Sequence, residues 1–348
     1  MKKVIVGLSG GVDSATAAAL LKEQGYEVIG VTFVFTEDFD PTDAKNISKK
    51  LNIEHHVIEY KDIFQEKVIN KFIDDYKSGI TPNPCILCNK EVKFNFLYQQ
   101  MQKLNCDYIA TGHYAKIING NLYKSADLKK DQTYFLAQLT KEQLNKLILP
   151  LEGITKDKVR EIARKYDLEV ADKKDSTDVC FITTNFKEYI NNKIKNSKGD
   201  VIDVQTNKKI GEHTGLMQYT IGQRKGLNIG GTKDRIYVVG KDMSKNILYI
   251  AQGDNNDYLI SNSCLLSNIN IINDQDLTNL KAKFRYRQEE TNVEIEFINN
   301  NEILVKYPIG VKSVTPGQAC VFYKNDECIG GGIIKEVRKD EKKLWYLL

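Results

Sequence analysis

The residues whose types and spacing can do chemistry fall into two groups, one suited to phosphate and one to sulfur. The first is Val4-Ile-Val-Gly-Leu-Ser-Gly-Gly-Val-Asp-Ser14. A short apolar run of β type enters a Ser-Gly-Gly turn, and a helix-forming segment, Ala15 to Gln24, follows at once with Gly25 placed to end it. Strand, glycine turn and helix start together make a phosphate cradle. Glycines let the backbone approach an anion, and the unpaired N–H groups of the first helical turn point at it. The lysine of the ordinary triphosphate loop is missing, which argues against a loop that grips a γ-phosphate for transfer or hydrolysis.

The second group is a set of thiols. In Thr81-Pro-Asn-Pro-Cys-Ile-Leu-Cys-Asn-Lys90, Pro82 and Pro84 keep the backbone extended ahead of a helix predicted from about Asn89 to Leu104. Cys88 then falls at the helix start, where the dipole and Lys90 favour thiolate. Thiols so placed titrate near or below neutrality instead of at roughly 8.5. The competing reading of Cys85 and Cys88 is half of a zinc site, but no second pair stands at short spacing. Cys106 and His113 are isolated, and Cys264, Cys320 and Cys328 lie far downstream. Cys180 closes Lys173-Lys-Asp-Ser-Thr-Asp-Val-Cys180, a loop too charged for core packing, although a buried inert cysteine before Phe181-Ile182 is the default for that residue alone.

The elements that must position these groups alternate in the first half of the chain. Strands are predicted at Lys3–Gly7, Glu27–Phe35, Glu54–Ile58 and Asp107–Thr111, with helices at Asp13–Gln24, Pro41–Leu51 and Asp62–Lys77. Thr155 is placed to cap a helix through Tyr166. This is the pattern of a parallel sheet covered on both faces, an α/β domain. After about residue 195 the texture changes to short alternating runs split by Asn, Gly, Asp and Lys. Val201–Val204 with Ile210–His213, and Arg235–Gly240 with Ile247–Ala251, read as hairpins. Leu265–Ile272, Lys281–Arg287, Val293–Ile298, Glu302–Tyr307, Ala319–Tyr323 and Gly332–Val337 read as strands of a small β-barrel. The expected division is residues 1–197, 198–257 and 258–348.

At 348 residues the chain has room for such a division. A net charge of +4 is too small to announce nucleic-acid binding by composition, so any such contact must come from local patches. No segment reaches the roughly 18 continuous apolar residues of a membrane span. The expectation is a cytoplasmic protein with no membrane partner, whose seven cysteines are reduced at rest.

These motifs carry a resemblance. Ser9-Gly-Gly-Val-Asp-Ser14 resembles the pyrophosphate loop of enzymes that split ATP into AMP and pyrophosphate. The ordered set resembles the tRNA-specific 2-thiouridylases over nearly the whole chain. It comprises Gly7 to Ser14, Thr81-Pro-Asn-Pro, Leu87-Cys-Asn-Lys-Glu-Val-Lys-Phe94, Ala110-Thr-Gly-His-Tyr-Ala, Lys130-Asp-Gln-Thr-Tyr-Phe-Leu, Lys174-Asp-Ser, Cys180-Phe-Ile, Tyr219-Thr-Ile-Gly-Gln-Arg-Lys-Gly-Leu, Phe284-Arg-Tyr-Arg-Gln and Val314-Thr-Pro-Gly-Gln318. The resemblance implies adenylation of the 2-oxo group of a wobble uridine in tRNAs such as those for Lys, Glu and Gln, followed by sulfur delivery to give 2-thiouridine. It implies that Cys180 carries a persulfide and that Cys88 is the nucleophile releasing sulfur, with a transient disulfide between them. It further implies that Gly7, Leu8, Ser9, Gly10, Gly11, Val12, Asp13, Ser14 and Phe33 hold ATP, with Gly112 near the adenosine and Asp13 helping to place Mg²⁺. Asn83, Pro84 and Cys85 would face the target base, and His113 would line the site. Lys130, Asp131, Gln132, Arg285, Tyr286 and Gln318 would touch tRNA, and a cysteine desulfurase or a persulfide relay protein would supply sulfur.

Two positions depart from the family pattern. Cys85 stands where Asp is common, and Asp178-Val179 precedes Cys180 in place of a smaller or apolar pair. The first opens a rival in which Cys85, Cys88 and Cys180 hold a four-iron four-sulfur cluster with one iron open to sulfide. Two rivals of another kind are an amide-forming ATP pyrophosphatase and a nonenzymatic RNA-binding protein. Neither has a use for Cys88 and Cys180.

Overall fold

The computed structural model describes every residue except 175–178, 183, 228, 230–233 and 348. Asp175, Ser176 and Asp178 of the loop before Cys180 therefore lie outside the described residues.

The alternating half folds as its periodicity requires. Strands β1 (Lys3–Gly7), β2 (Glu27–Val34), β3 (Glu54–Glu59) and β4 (Tyr108–Ala110) are followed by a short hairpin, β5 (Lys116–Ile118) and β6 (Asn121–Tyr123), and then β7 (Leu147–Ile148). A five-stranded sheet has the order β3-β2-β1-β4-β7, and all its pairings are parallel. Val4, Ile5 and Val6 are fully buried, because helices cover both faces and leave β1 no solvent side. The order reverses between β1 and β4, which opens a crevice beyond their carboxyl ends, the usual ligand position in an open parallel sheet. Helix α1 (Val12–Glu23) starts from that edge, and its Ala15, Ala17, Ala18 and Leu21 seal it to the sheet.

The predicted helix at Asn89 begins earlier, at Pro84. Pro84–Cys88, a π-helical turn Asn89–Lys93 and Phe94–Lys103 follow without a break. Pro84 sits in the first helical turn, where its missing N–H costs nothing, so a proline expected to precede the helix instead opens it. The predicted helix Asp62–Lys77 likewise holds a π-helical stretch, Gln65–Asn70.

Downstream, β8 (Gly199–Asp203), β9 (Lys208–His213), β10 (Ile236–Asp242) and β11 (Ile247–Gln252) form a four-stranded sheet. The six barrel strands are β12 (Ile260–Ile271), β13 (Leu280–Lys283), β14 (Thr291–Asn299), β15 (Glu302–Lys312), β16 (Ala319–Lys324) and β17 (Glu327–Lys339). Closure comes from β12, which pairs with both β15 and β17. Hairpin β5–β6, which periodicity does not predict, leaves the α/β half to pair with β17 and couples the two regions through backbone. The strand predicted as Lys281–Arg287 stops at Lys283. Arg285 to Arg287 is a turn, with Arg287 at φ 64°.

Candidate active site

The phosphate loop leaves β1 and turns at Gly10, whose φ of 76° favours glycine. Gly11 is the N-cap of α1 and supplies no side-chain cap, so the first-turn N–H groups keep no side-chain acceptor. Ser14 braces the turn from within. Its Oγ accepts from Ser9 N at 3.2 Å, lies 3.2 Å from Ser9 Oγ and donates to the Gly11 carbonyl at 3.0 Å. Leu8 and Val12 are buried in the core, so only their backbone can meet a ligand. Phe33 is also buried, packed among Phe35, Tyr60 and Phe96.

Asp13 is engaged by two side chains from distant segments. Lys156 Nζ donates to both of its carboxylate oxygens, at 2.7 and 2.8 Å, and Tyr114 Oη donates to Oδ1 at 2.7 Å. Lys156 opens the helix Lys156–Lys165, capped by Thr155, and is only 8% exposed. The expected hold of Asp13 on Mg²⁺ meets a carboxylate that a lysine already neutralises. Gly112 abuts the same helix start. A Cβ there would lie 2.6 Å from Asp13 C and 2.7 Å from Ser14 N.

The residue after Gly112 faces the sulfur end. His113 Nδ1 lies 2.8 Å from Thr111 Oγ1 and its ring is 5.7 Å from Phe94. Burial first, then the charge of Lys93, holds its pKa well below the ordinary imidazole value. The turn after β4 thus touches the phosphate loop through Gly112 and the thiol region through His113.

Asn83 caps the thiol helix, its Oδ1 accepting from Ile86 N at 3.3 Å. Cys85 lies exposed on the first turn, and Cys88, at 9% exposure, belongs to the same apolar cluster as Phe181. Phe181 packs 5.2 Å from Phe72 and 5.8 Å from Phe64, which anchors the backbone next to Cys180 in that cluster. Cys85, Cys88 and Cys180 lie within electrostatic reach of one another, and Lys93 acts on all three. All three are free thiols.

The expected low pKa of Cys88 is overturned. Burial pushes this thiol up to about 11, against the pull of the Lys93 charge. The sulfur sits a full turn inside the helix and not at its first N–H groups, so desolvation outweighs the dipole. Cys85 and Cys180 show surface to solvent, yet enough protein surrounds each that desolvation raises them too, again opposed by Lys93. Lys90, the cation expected to act here, turns away to Gln138 Oε1 at 3.3 Å. Among the described residues no three His, Cys, Asp or Glu side chains converge as metal ligands.

The later domains grip the backbone just before Cys85. Gln318 Nε2 donates to the Thr81 carbonyl at 2.9 Å, and Thr81 N donates to the Pro316 carbonyl at 3.2 Å. Lys241, 1% exposed, donates to the Gly79 carbonyl at 3.3 Å. Gln318 therefore spends its amide on the thiol loop in this structure. Asp131, expected at the tRNA surface, is buried and accepts from Ser125 N at 3.2 Å and Thr133 Oγ1 at 2.7 Å. Gln132 Oε1 accepts from Tyr114 N at 2.9 Å. Lys130 is half-buried beside them, Arg285 is exposed, and Tyr286 packs 4.4 Å from Phe135. Sequence reasoning alone does not find Lys93, Tyr114, Lys156 or Lys241. Lys93 has a local signal, since it stands shortly after Cys88 in the same helix. Tyr114 lies within the Ala110-Thr-Gly-His-Tyr-Ala string, which does not say what its hydroxyl meets, and Lys156 and Lys241 have no such signal.

A parallel sheet with a lysine-free phosphate loop at its switch point is that of an ATP-using α/β domain. Residues 2–184 match the family model described as tRNA methyl transferase HUP domain. Residues 187–252 match tRNA methyl transferase PRC-barrel domain, and residues 261–334 match Aminomethyltransferase beta-barrel domain. The tRNA-specific 2-thiouridylase MnmA of Mycoplasmopsis synoviae (strain 53) is 46% identical over 99% of this chain and 99% of its own length. That of Bacillus subtilis (strain 168) is 43% identical over 99% of this chain and 98% of its own. The chain belongs to the tRNA-specific 2-thiouridylase family. A 4-thiouridine synthetase solved with RNA and ATP aligns at a TM-score of 0.38 and 20% identity, over 52% of this chain and 45% of that one. Among the described residues no helix is long and apolar enough to cross a membrane.

Proposed function

We propose that this chain is a tRNA-uridine 2-sulfurtransferase that works through a Cys180 persulfide. The observation that carries the reading is that Cys88 and Cys180 lie within electrostatic reach of each other and share the Lys93 charge with His113, whose neighbour Gly112 abuts the phosphate loop. ATP lies with its phosphates on the Gly7–Ser14 backbone, and Lys156, shared with Asp13, supplies the cation that the loop itself lacks. Mg²⁺ bound with ATP would ease the departure of pyrophosphate, and Asp13, both of whose carboxylate oxygens already face Lys156, would have little left to offer it.

The target uridine turns out of the anticodon loop, which is cheap in a single strand, and enters past Asn83, Pro84 and Cys85. Its 2-oxo oxygen attacks the α-phosphorus, and pyrophosphate leaves. The terminal sulfur of the Cys180 persulfide then bonds C2, and the C2–O bond breaks with its electrons leaving on AMP. Cys88, having lost its proton to solvent, attacks Sγ of Cys180. The Sγ–S bond breaks toward the sulfur on C2, giving the 2-thio group and a Cys88–Cys180 disulfide that a thiol reductant reopens. Lys130, Arg285 and Tyr286 belong to the RNA face, where basic side chains position the backbone and the aromatic ring offers stacking. A cysteine desulfurase or relay protein loads the persulfide, and tRNAs for Lys, Glu and Gln are the substrates.

Mass spectrometry of nucleosides from tRNA incubated with the protein, ATP, Mg²⁺, cysteine and a desulfurase tests this. The expected product is 2-thiouridine, lost in both Cys88→Ser and Cys180→Ser while tRNA-dependent pyrophosphate release persists. Undiminished thiolation by either variant would overturn the persulfide route. Pyrophosphate release that ignores tRNA would overturn the substrate.

A further inference from the structure

The two sulfurs of the transfer step sit where desolvation disfavours their anions, yet the proposed chemistry needs an anionic persulfide and then an anionic Cys88. Among the described residues one basic side chain, Lys93, acts on both. We propose that the Lys93 ammonium is the charge-compensating group of this site, handed from the persulfide anion to the Cys88 thiolate as sulfur moves. The inference rests on the sulfur-transfer reading above and assigns a positioning residue to it.

The placement follows from the backbone. A regular α-helix sets residues three or four apart on one face. The π-helical turn Asn89–Lys93 inserts an extra residue, with Phe94 N bonding to the Asn89 carbonyl in the i→i+5 pattern, and this register sets Lys93 one π-helical turn after Cys88, on the same face of the helix. The Lys93 backbone N–H points at Cys88 Sγ, and its side chain acts on Cys85, Cys88, Cys180 and His113. Among the described residues no carboxylate pairs with Lys93, whereas nearby Lys71, Lys77 and Lys61 each hold an acidic partner. Lys90 on the same turn is bound to Gln138. Among the described residues the half-buried Lys93 is the cation whose charge acts on all three thiols.

Charge counting then sets an order. His113 is held neutral, so one ammonium balances one sulfur anion at a time. While the Cys180 persulfide is anionic, Cys88 stays a thiol, which keeps it from attacking Sγ of Cys180 and discharging the sulfur before the uridine is activated. Once the terminal sulfur has bonded C2, its charge has left on AMP, and Lys93 is free to stabilise the Cys88 thiolate. The same contact that assists release thus protects the loaded state.

The test is peptide-resolved alkylation of the full chain by neutral iodoacetamide across pH 6 to 11, with each cysteine followed by mass spectrometry. Lys93→Met should slow Cys88 alkylation about tenfold at each pH from 8 to 10, the effect of losing roughly one pH unit of charge stabilisation. Lys93→Arg should restore it. The rate ratio of anionic iodoacetate to iodoacetamide at Cys88 should also fall in Lys93→Met, as the attracting charge is gone. Cys264, Cys320 and Cys328, buried in the barrel, report intactness, and should Lys93→Met fail to fold, Lys93→Gln gives the same readout. An unchanged Cys88 profile in a folded variant overturns the proposal. Because alkylation needs neither ATP nor tRNA, that result is separate from failure of the thiolation assay, which tests the function.

Discussion

Gly112→Ala is the sharpest probe of how the phosphate loop is held. A Cβ at this position meets Asp13 C at 2.6 Å, Asp13 O at 2.7 Å and Ser14 N at 2.7 Å, all backbone atoms of the loop and the start of α1. Ordinary carbon contacts begin near ~3.5 Å, so about an ångström of movement is required and no flexible side chain can absorb it. Overpacking of this kind costs about 1–3 kcal/mol. For a domain of this size each kcal/mol lowers Tm by about 2–4 °C. The larger effect should fall on nucleotide binding, since the displaced atoms belong to the cradle. ATP affinity, read by calorimetry, should drop at least about tenfold, a further ~1.4 kcal/mol. Gly11→Ala is the matched comparison. Its Cβ would meet only Ser9 Oγ, at 3.5 Å, so stability should hold, and any loss of ATP affinity reports phosphate approaching that backbone. Gly153→Ala, with nothing within 4 Å, should change neither. Wild-type ATP affinity and Tm in Gly112→Ala would refute the claim that this contact sets the loop.

Lys156→Met should weaken ATP at least about tenfold and destabilise the fold by about 1–3 kcal/mol, less than a fully buried pair because Asp13 is partly exposed. Adding Asp13→Asn should recover stability in a thermal melt but not ATP binding. Lys241→Met should raise Tm at pH 7. Burial lowers the lysine pKa from 10.5 to about 8, so the unfolded chain binds the extra proton between those values. Wild-type stability therefore rises with pH from about 8 to 10.5, and the advantage of the variant, about 3 kcal/mol at most, should vanish across that window in pH-resolved denaturation. Arg285→Ala should weaken tRNA binding alike for all tRNA sequences and reduce the slope of log affinity against log salt by about 1, measured by filter binding. Asp131→Asn should leave that slope unchanged while lowering Tm, because its carboxylate is bonded to Ser125 and Thr133 inside the fold.

Much of the architecture is legible because it is written in local periodicity. The predicted bounds of β1 match the structure to the residue, and the continuous apolar run Val4–Val6 needs both sheet faces covered. Hairpin β5–β6 escapes such reasoning because its strands are three residues each, too short for alternation to register, and they are held by β17 from the far end of the chain. The predicted strand Lys281–Arg287 runs too long because alternating side chains continue past Lys283, while the backbone turns at Arg287 into the left-handed region.

The sequence by itself determined which chemistries are present: a phosphate loop without its own lysine, and thiols on either side of a long interval. Their types and near spacing are covalent facts that no packing can alter. Only the tertiary structure decided the charge and burial around them. It turned Lys90 away and set the Lys93 charge within reach of Cys88, placed Lys156 on Asp13 across 143 residues, and pushed the Cys88 thiol up instead of down. The reason is that a side chain's protonation follows from what surrounds it in space. Desolvation and Coulomb interactions depend on neighbours supplied by distant segments, and sequence spacing constrains those neighbours only within a helical turn or two.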